Sequence, residues 1–229
     1  MKKLATAAKT RPSAPTAKSK ASLTPVRDAE RTQLAILAAG EDEFADKGLA
    51  GARVDAIAEQ AGANKRMLYY YFGSKEDLYV AVLERAYGEM RQAENGLNLA
   101  NLEPLDAIRR LVEFKFDYYR DHPRMIRLLA GENMQKATFL KRSRRLREMQ
   151  NSLDIVLHAV LEAGEKKGLV KPGIDPLQLY ISIAGLSYFY FSNAATLSTA
   201  FGRELMDTVE LTARRAHAVE VILDYVRLR

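Results

Sequence analysis

The sequence predicts an all-α protein of about nine helices, and three features support that fold class. Apolar residues recur three and four positions apart along most of residues 26–227, and no segment shows the alternation of a half-buried strand. Glycines and prolines interrupt this pattern at intervals typical of helix ends. Hydrophobic residues make up 48% of the 229 positions, which is enough for a sizeable core.

Most of the predicted helices have a recognisable beginning or end. Gly48 ends the first helix, and the apolar spacing from Val54 begins the second. His122-Pro123 ends the fifth, and Asp175-Pro176 is a strong helix start. The predicted helices span residues 26–47, 54–61, 65–71, 75–94, 105–121, 124–136, 140–167, 176–193 and 204–227.

The positive charge of the chain is concentrated at its N-terminus. Residues 1–31 contain eight Lys and Arg against two acids, and the whole chain carries +6. Residues 1–25 are rich in Lys, Ala, Thr, Ser and Pro, so we predict a disordered basic arm there. Such an arm either contacts the phosphates of a nucleic acid or only keeps the protein in solution, and both interpretations stay open.

Several classes of function find no support in the sequence. The chain has no cysteine, and its three histidines lack metal-ligand spacing. We find no Gly-rich phosphate loop and no Ser/His/Asp order, so we expect no enzyme, no cofactor and no metal site. No apolar run approaches a membrane span and no secretory signal is recognisable, which favours the cytoplasm over a membrane.

The second and third predicted helices form a helix-turn-helix, because only the tight turn Gly62-Ala63 separates them. In this motif the first residues of the second helix meet base edges in the major groove of DNA. Asn64 is a good N-cap there, and Lys65 and Arg66 suit the acceptors of guanine. Met67 suits a thymine methyl group.

Three neighbouring helix starts carry cations, although a helix N-terminus is itself electropositive. These cations are Arg53, the pair Lys65 and Arg66, and Lys75. They indicate an external anion such as DNA phosphate, unless they are simply exposed and screened. In the aromatic run that follows, we expect Tyr69 and Tyr71 to point outward towards phosphates and Tyr70 to pack partly inward.

The stretch from Ile36 to Leu78 resembles the TetR family of bacterial regulators. The resemblance rests on Ile36-Leu37-Ala38-Ala39, Phe44, Gly48, Val54-Asp55-Ala56-Ile57-Ala58, Ala61-Gly62, Leu68-Tyr69-Tyr70-Tyr71-Phe72 and Ser74-Lys75-Glu76-Asp77-Leu78. It implies a two-fold dimer on a palindromic DNA operator, with phosphate contacts at Tyr69, Tyr71 and Lys75 and base contacts at residues 65–67. Arg53, Arg66, Met67 and Tyr71 depart from the family pattern, which implies an operator of its own.

The resemblance and the helix pattern together divide the chain into three parts. We predict the arm over residues 1–25, a DNA-binding domain over 26–74, and a ligand-binding and dimerisation domain over 75–229. Residues 176–193 are apolar nearly all round, so they and residues 204–227 are expected to form the dimer interface. The alternative is a monomer in which this apolar helix is simply central.

A small organic effector is expected to bind among the helices of the C-terminal half. The candidate lining residues, each of which could equally be plain core, are Phe114, Tyr118, Met125, Leu128, Asn133, Met134, His158, Tyr188 and Asn193. The sequence thus predicts a repressor, associated with the nucleoid, that an effector releases from double-stranded operator DNA. The alternative is a DNA-binding architectural or cell-division factor without an inducer.

Overall fold

The computed structural model describes residues 24–228, and these residues form ten α-helices. The helices are α1 (Thr24–Gly51), α2 (Val54–Gln60), α3 (Lys65–Phe72), α4 (Lys75–Asn95), α5 (Pro104–Asp121), α6 (Pro123–Met134), α7 (Arg144–Lys166), α8 (Pro176–Ser192), α9 (Ala194–Phe201) and α10 (Thr208–Val226). The described part of the chain contains no β-strand beyond an isolated bridge between Val170 and Arg227. The predicted all-α class is confirmed. The predicted arm lies almost entirely outside the described residues.

Helix α1 is interrupted near its end, as the sequence predicts. Gly48 adopts φ +65° and ψ 172°, so the regular helix ends there and one further turn continues to Gly51. A residue with a Cβ would be strained in this conformation. The break therefore fixes where α1 turns towards α2.

The connection between α6 and α7 differs from the prediction of a helix beginning at residue 140. Leu140–Arg142 forms a separate 3-10 turn, and α7 begins after Ser143, whose hydroxyl caps its first turn. The buried carboxylate of Glu132 accepts hydrogen bonds from the backbone N–H groups of Phe139 and Leu140, at 2.7 and 2.9 Å. A buried side chain at the end of α6 thus shapes the connection that follows it.

The sequence predicts a loop where the structure forms α9, and α10 begins four residues later than predicted. The segment Ala194–Phe201 is rich in Ser and Thr, which are mediocre helix formers. Leu205, which follows the helix, holds it in place through two hydrogen bonds. The N–H of Leu205 donates to the hydroxyl of Ser198 at 3.1 Å, and the carbonyl oxygen of Leu205 accepts from the hydroxyl of Tyr190. Gly202, at φ +62°, ends α9.

Two hydrophobic clusters organise the molecule. The first joins α1, α2 and α3 to α4, α5 and α6 and includes Phe44, Leu68, Leu83 and Met125. The second lies among α5, α7, α8 and α10 and includes residues such as Ile183. The N-terminal helices therefore share a core with the C-terminal half. None of the helices among residues 24–228 combines the length and the apolar character that a membrane crossing needs.

Gly164 in α7 allows a close approach that tests this packing. A Cβ at this position would lie 2.9 Å from Val170 Cβ and 3.2 Å from Pro104 Cβ. We expect Gly164→Ala to lower the free energy of unfolding by about 2 kcal/mol, measured by urea unfolding. Gly88→Ala is the matched control, because its Cβ would meet only Met149 Cε at 3.5 Å. Equal stability of both variants would contradict the close packing at α7.

Candidate DNA interface and interior polar cluster

Helices α2 and α3 meet in the predicted helix-turn-helix geometry. Gly62 takes φ +61° in the turn, and the side chain of Asn64 accepts a hydrogen bond from the N–H of Met67 at 2.9 Å. Leu68 is fully buried and anchors α3 on the core. Lys65 and Arg66 are exposed, whereas Met67 is half-buried. The N-terminal turn of α3 thus presents its polar side chains away from the protein.

The tyrosines of α3 differ in part from the prediction. Tyr69 is 42% exposed, as expected, but Tyr70 is the most exposed at 83%. Tyr71 is partly buried and packs against the first cluster. Each residue turns a helix by about 100°, which places Tyr70 nearly opposite Leu68 and Tyr71 beside it. The predicted inward packing of Tyr70 is therefore wrong, and Tyr71 has only part of its side chain outside.

Two of the four cations at these three helix starts have partners inside the protein. The ammonium of Lys65 lies 3.0 Å from a carboxylate oxygen of Asp55 on α2. The ammonium of Lys75 lies 3.5 Å from the carbonyl oxygen of Ala50, at the C-terminal end of α1. The guanidinium groups of Arg53 and Arg66 form no hydrogen bond or ion pair with any group among residues 24–228. An exposed ion pair contributes little stability, so Lys65 remains available to an external anion.

Glu43 supplies the cap that Arg53 does not give to α2. Its buried carboxylate accepts the backbone N–H of Arg53 at 2.9 Å and the ammonium of Lys47 at 2.8 Å. Burial tends to raise the pKa of Glu43, but these two hydrogen bonds outweigh it and hold the pKa below the usual 4.5. The start of the helix-turn-helix is thus held by a charged group of α1.

The residues proposed to line a ligand pocket differ in how far the structure buries them. Tyr118, Met125 and Leu128 are buried in the first cluster. Phe114, Tyr188 and Asn193 are partly buried. Asn133, Met134 and His158 are exposed, and Met134 is 85% exposed. Met134 is the last residue of α6 and its side chain lies in solvent, so it does not line an interior pocket in this arrangement of the chain.

Four residues that the sequence prediction missed form a buried polar cluster, defined as Arg91, Glu94, Lys115 and Tyr180. The carboxylate of Glu94 pairs with both Arg91 and Lys115. The hydroxyl of Tyr180 accepts from Arg91 Nη2 at 2.7 Å and from Lys115 Nζ at 2.9 Å. Lys115 stands between Phe114 and Phe116 in α5, and a cation directly between two aromatic residues was the signal that could have identified the cluster.

Helix α8 presents apolar residues on two sides. Leu179, Ile183 and Tyr190 are buried against the chain itself. Ile181 and Phe189 are about half exposed on the other side. A groove of about 520 Å³ runs between this outer side and α10, and it is lined by Ser182, Gly185, Leu186, Phe189, Arg214, Val221, Ile222 and Tyr225. The single chain therefore leaves an apolar face uncovered.

Both halves of the chain match known protein families. Residues 36–82 match the family described as bacterial regulatory proteins, tetR family. Residues 104–222 match the tetracyclin repressor-like C-terminal domain. The transcriptional repressor NicS of Pseudomonas putida is 41% identical over 181 residues, covering 79% of this chain and 85% of NicS.

The chain belongs to the TetR family of bacterial transcriptional regulators. A second relative in the family, the regulator RutR of Escherichia coli, is 31% identical over 198 residues, covering 85% of this chain and 90% of RutR. The crystal structure of the transcriptional regulator SCO4942 from Streptomyces coelicolor superposes with a TM-score of 0.66 at 28% identity. That comparison covers 86% of this TetR-family chain and 99% of SCO4942. Family membership makes the helix-turn-helix the DNA-binding part of the protein.

The Glu43 cap of this TetR-family protein predicts a pH-dependent stability. We expect Glu43→Gln to lower the free energy of unfolding by about 1–2 kcal/mol at pH 7. The reason is that the backbone N–H of Arg53 then loses a charged acceptor. The folded-state pKa of Glu43 is lowered, so this contribution is present above pH 4.5 and declines as the pH falls through the folded pKa. Urea unfolding at several pH values measures it.

Glu162→Gln is the matched control for this experiment. Glu162 also pairs with a lysine four residues away, Lys166, and its pKa is lowered by that hydrogen bond, but the pair is exposed on α7. The control should leave the unfolding midpoint nearly unchanged. A loss at Glu43 that is the same at every pH would contradict a role for its charge.

Proposed function

We propose that this chain is a homodimeric repressor that a small organic molecule releases from a palindromic operator. The observation that carries the proposal is α3, a short helix capped by Asn64 that presents Lys65, Arg66 and Tyr69 outward. The relative NicS is a transcriptional repressor. FadR of Bacillus subtilis, a structure of the same fold at 17% identity, was solved in complex with stearoyl-CoA, so this architecture can hold an organic ligand.

We assign the base contacts to Asn64, Lys65, Arg66 and Met67. Arg53, Tyr69, Tyr71 and Lys75 are assigned to phosphates. Helix N-termini and cations both bind phosphate, and a bidentate guanidinium suits guanine. Because its target is chromosomal DNA, we place the protein in the bacterial cytoplasm at the nucleoid.

We propose that the dimer forms through α8 and α10, within residues 176–193 and 204–227. The uncovered apolar side of α8 and the groove beside it support this assignment, because a monomer would leave that surface in water. A two-fold dimer also places its two copies of α3, the recognition helix, to read half-sites one helical turn apart. Selection of bound duplexes from a random pool should therefore enrich an inverted repeat. No preference for any duplex at moderate salt would overturn the proposal.

Lys75→Ala tests the phosphate contacts. We expect weaker binding to every duplex and a salt dependence reduced by about one unit of slope, because one released counterion is lost. Fluorescence anisotropy with the selected operator and a random duplex at several NaCl concentrations measures both. Lys166→Ala, which removes an exposed cation from α7, should change neither. A loss confined to one sequence, with an unchanged slope, would contradict the phosphate contact.

Arg66→Ala tests base recognition in the same assay. We expect discrimination at one operator position to fall by about 1–3 kcal/mol, because a bidentate contact to guanine is lost. The comparison uses duplexes that differ only at that position. Uniform weakening across all of these duplexes would remove Arg66 from base recognition and place it with the phosphate contacts.

A further inference from the structure

The buried polar cluster holds more positive than negative charge. Arg91 and Lys115 are cations, and Glu94 is the one carboxylate that contacts them among the described residues. Lys115 is 0% exposed, and Arg91 and Glu94 are 5% and 3% exposed. A buried charge without a counterion is strongly disfavoured. The cluster therefore has the electrostatics of a site that lacks one negative charge.

Among the described residues, no second carboxylate forms an ion pair with Arg91 or Lys115. Glu132, another buried carboxylate of the C-terminal half, forms no ion pair with these cations and binds the backbone N–H groups of Phe139 and Leu140. Burial raises the pKa of Tyr87 to about 12, and burial also raises the pKa of Tyr119. Both phenols consequently stay neutral at physiological pH.

The hydrogen-bond donors of the two cations are not fully used. Arg91 Nε is buried and has no acceptor among the described residues. One donor of Lys115 faces only the thioether sulfur of Met90, at 3.5 Å, and a thioether is a weak acceptor. Besides their pairing with Glu94, Arg91 Nη2 and Lys115 Nζ both donate to a single oxygen, the hydroxyl of Tyr180. Where two cations converge, a carboxylate oxygen is a better acceptor than a phenol.

Aromatic rings surround this point of convergence. Lys115 Nζ lies 4.9 Å from the ring centroid of Tyr180 and 5.8 Å from that of Tyr119. The rings of Tyr119 and Tyr188 lie edge to face, with their centroids 5.9 Å apart. Tyr180 itself is half-buried, so its side chain lies between the cluster and the surface. Such surroundings suit a flat ring carrying an anionic group.

We propose that the effector is a small aromatic carboxylate that binds at this cluster. Its carboxylate takes the place of the Tyr180 hydroxyl, bridging the Nε and Nη2 edge of Arg91 and the ammonium of Lys115. Its ring packs against Tyr119 and Tyr188. This assignment rests on the proposed function, because it names the ligand class of that ligand-released repressor.

The first experiment measures the melting temperature of the full-length protein with benzoate or phenylacetate, and with the corresponding amides at equal ionic strength. We expect a carboxylate in hundredfold excess over its Kd to raise the melting temperature by about 5 °C. The neutral amides and inorganic phosphate should have little effect. The proposal is overturned if neither carboxylate stabilises the protein more than its amide does.

Two variants separate a binding site from a structural ion pair. Lys115→Met leaves Arg91 and Glu94 as a neutral pair, so the unliganded protein should melt at the same temperature or higher, while carboxylate affinity falls at least about tenfold. Tyr180→Phe removes the competing oxygen and should tighten carboxylate binding. Lys166→Met is the surface control. Retention of the carboxylate effect in Lys115→Met, or weaker binding in Tyr180→Phe, would contradict the site.

Operator release, followed by anisotropy in the same samples, distinguishes this inference from the proposed function. Carboxylate binding that leaves the duplex bound supports the site and contradicts the release of repressor by this ligand. Duplex binding that is released only by neutral molecules supports the repressor and overturns the carboxylate assignment.

Discussion

The apolar contact of α4 with both halves of the molecule is the constraint on which the rest of the structure depends. Leu78 and Met90 lie in one buried cluster with Leu68 of the recognition helix and Met125 of α6. Two ion pairs, Arg124 with Asp42 and Arg127 with Asp46, also join α6 to α1, but they are largely exposed and contribute little. Close-packed cores resist gradual deformation, so we expect a change in the C-terminal half to reach α3 through this shared cluster.

The polar cluster lies where α4, α5 and α8 meet. Burying its charged groups costs folding free energy through their desolvation. Replacing a buried ion pair by apolar residues of similar volume often leaves a protein equally stable or makes it more stable. The cluster has two cations, one carboxylate and a shared phenol oxygen. This arrangement suits a site in which a ligand supplies a further anionic acceptor. Arg91 and Glu94 lie on α4, the same helix that reaches the DNA-binding part, so occupation of the cluster bears directly on that helix.

Local signals in the sequence predict most of the fold, including the helix-turn-helix. Gly48, the Asn64 cap and Pro176 act within a few residues, and the structure has each where the sequence places it. The outward orientation of Tyr70 follows from the rotation of about 100° per helical residue, which places it nearly opposite the buried Leu68. Helix α9 and the polar cluster could not be predicted in the same way. Contacts with Leu205 hold the helix, and residues 91, 94, 115 and 180 meet only after three helices pack.

Native-state hydrogen exchange of a Met125→Ala variant tests the shared cluster most directly. Met125 is 3% exposed, so its truncation should cost about 2–5 kcal/mol. If the N-terminal helices and α6 belong to one cooperative unit, the opening free energies at Phe44 and Leu68 should fall by the same amount as those within α6. Unchanged protection at Phe44 and Leu68, with loss confined to α6, would contradict the coupling of the two halves.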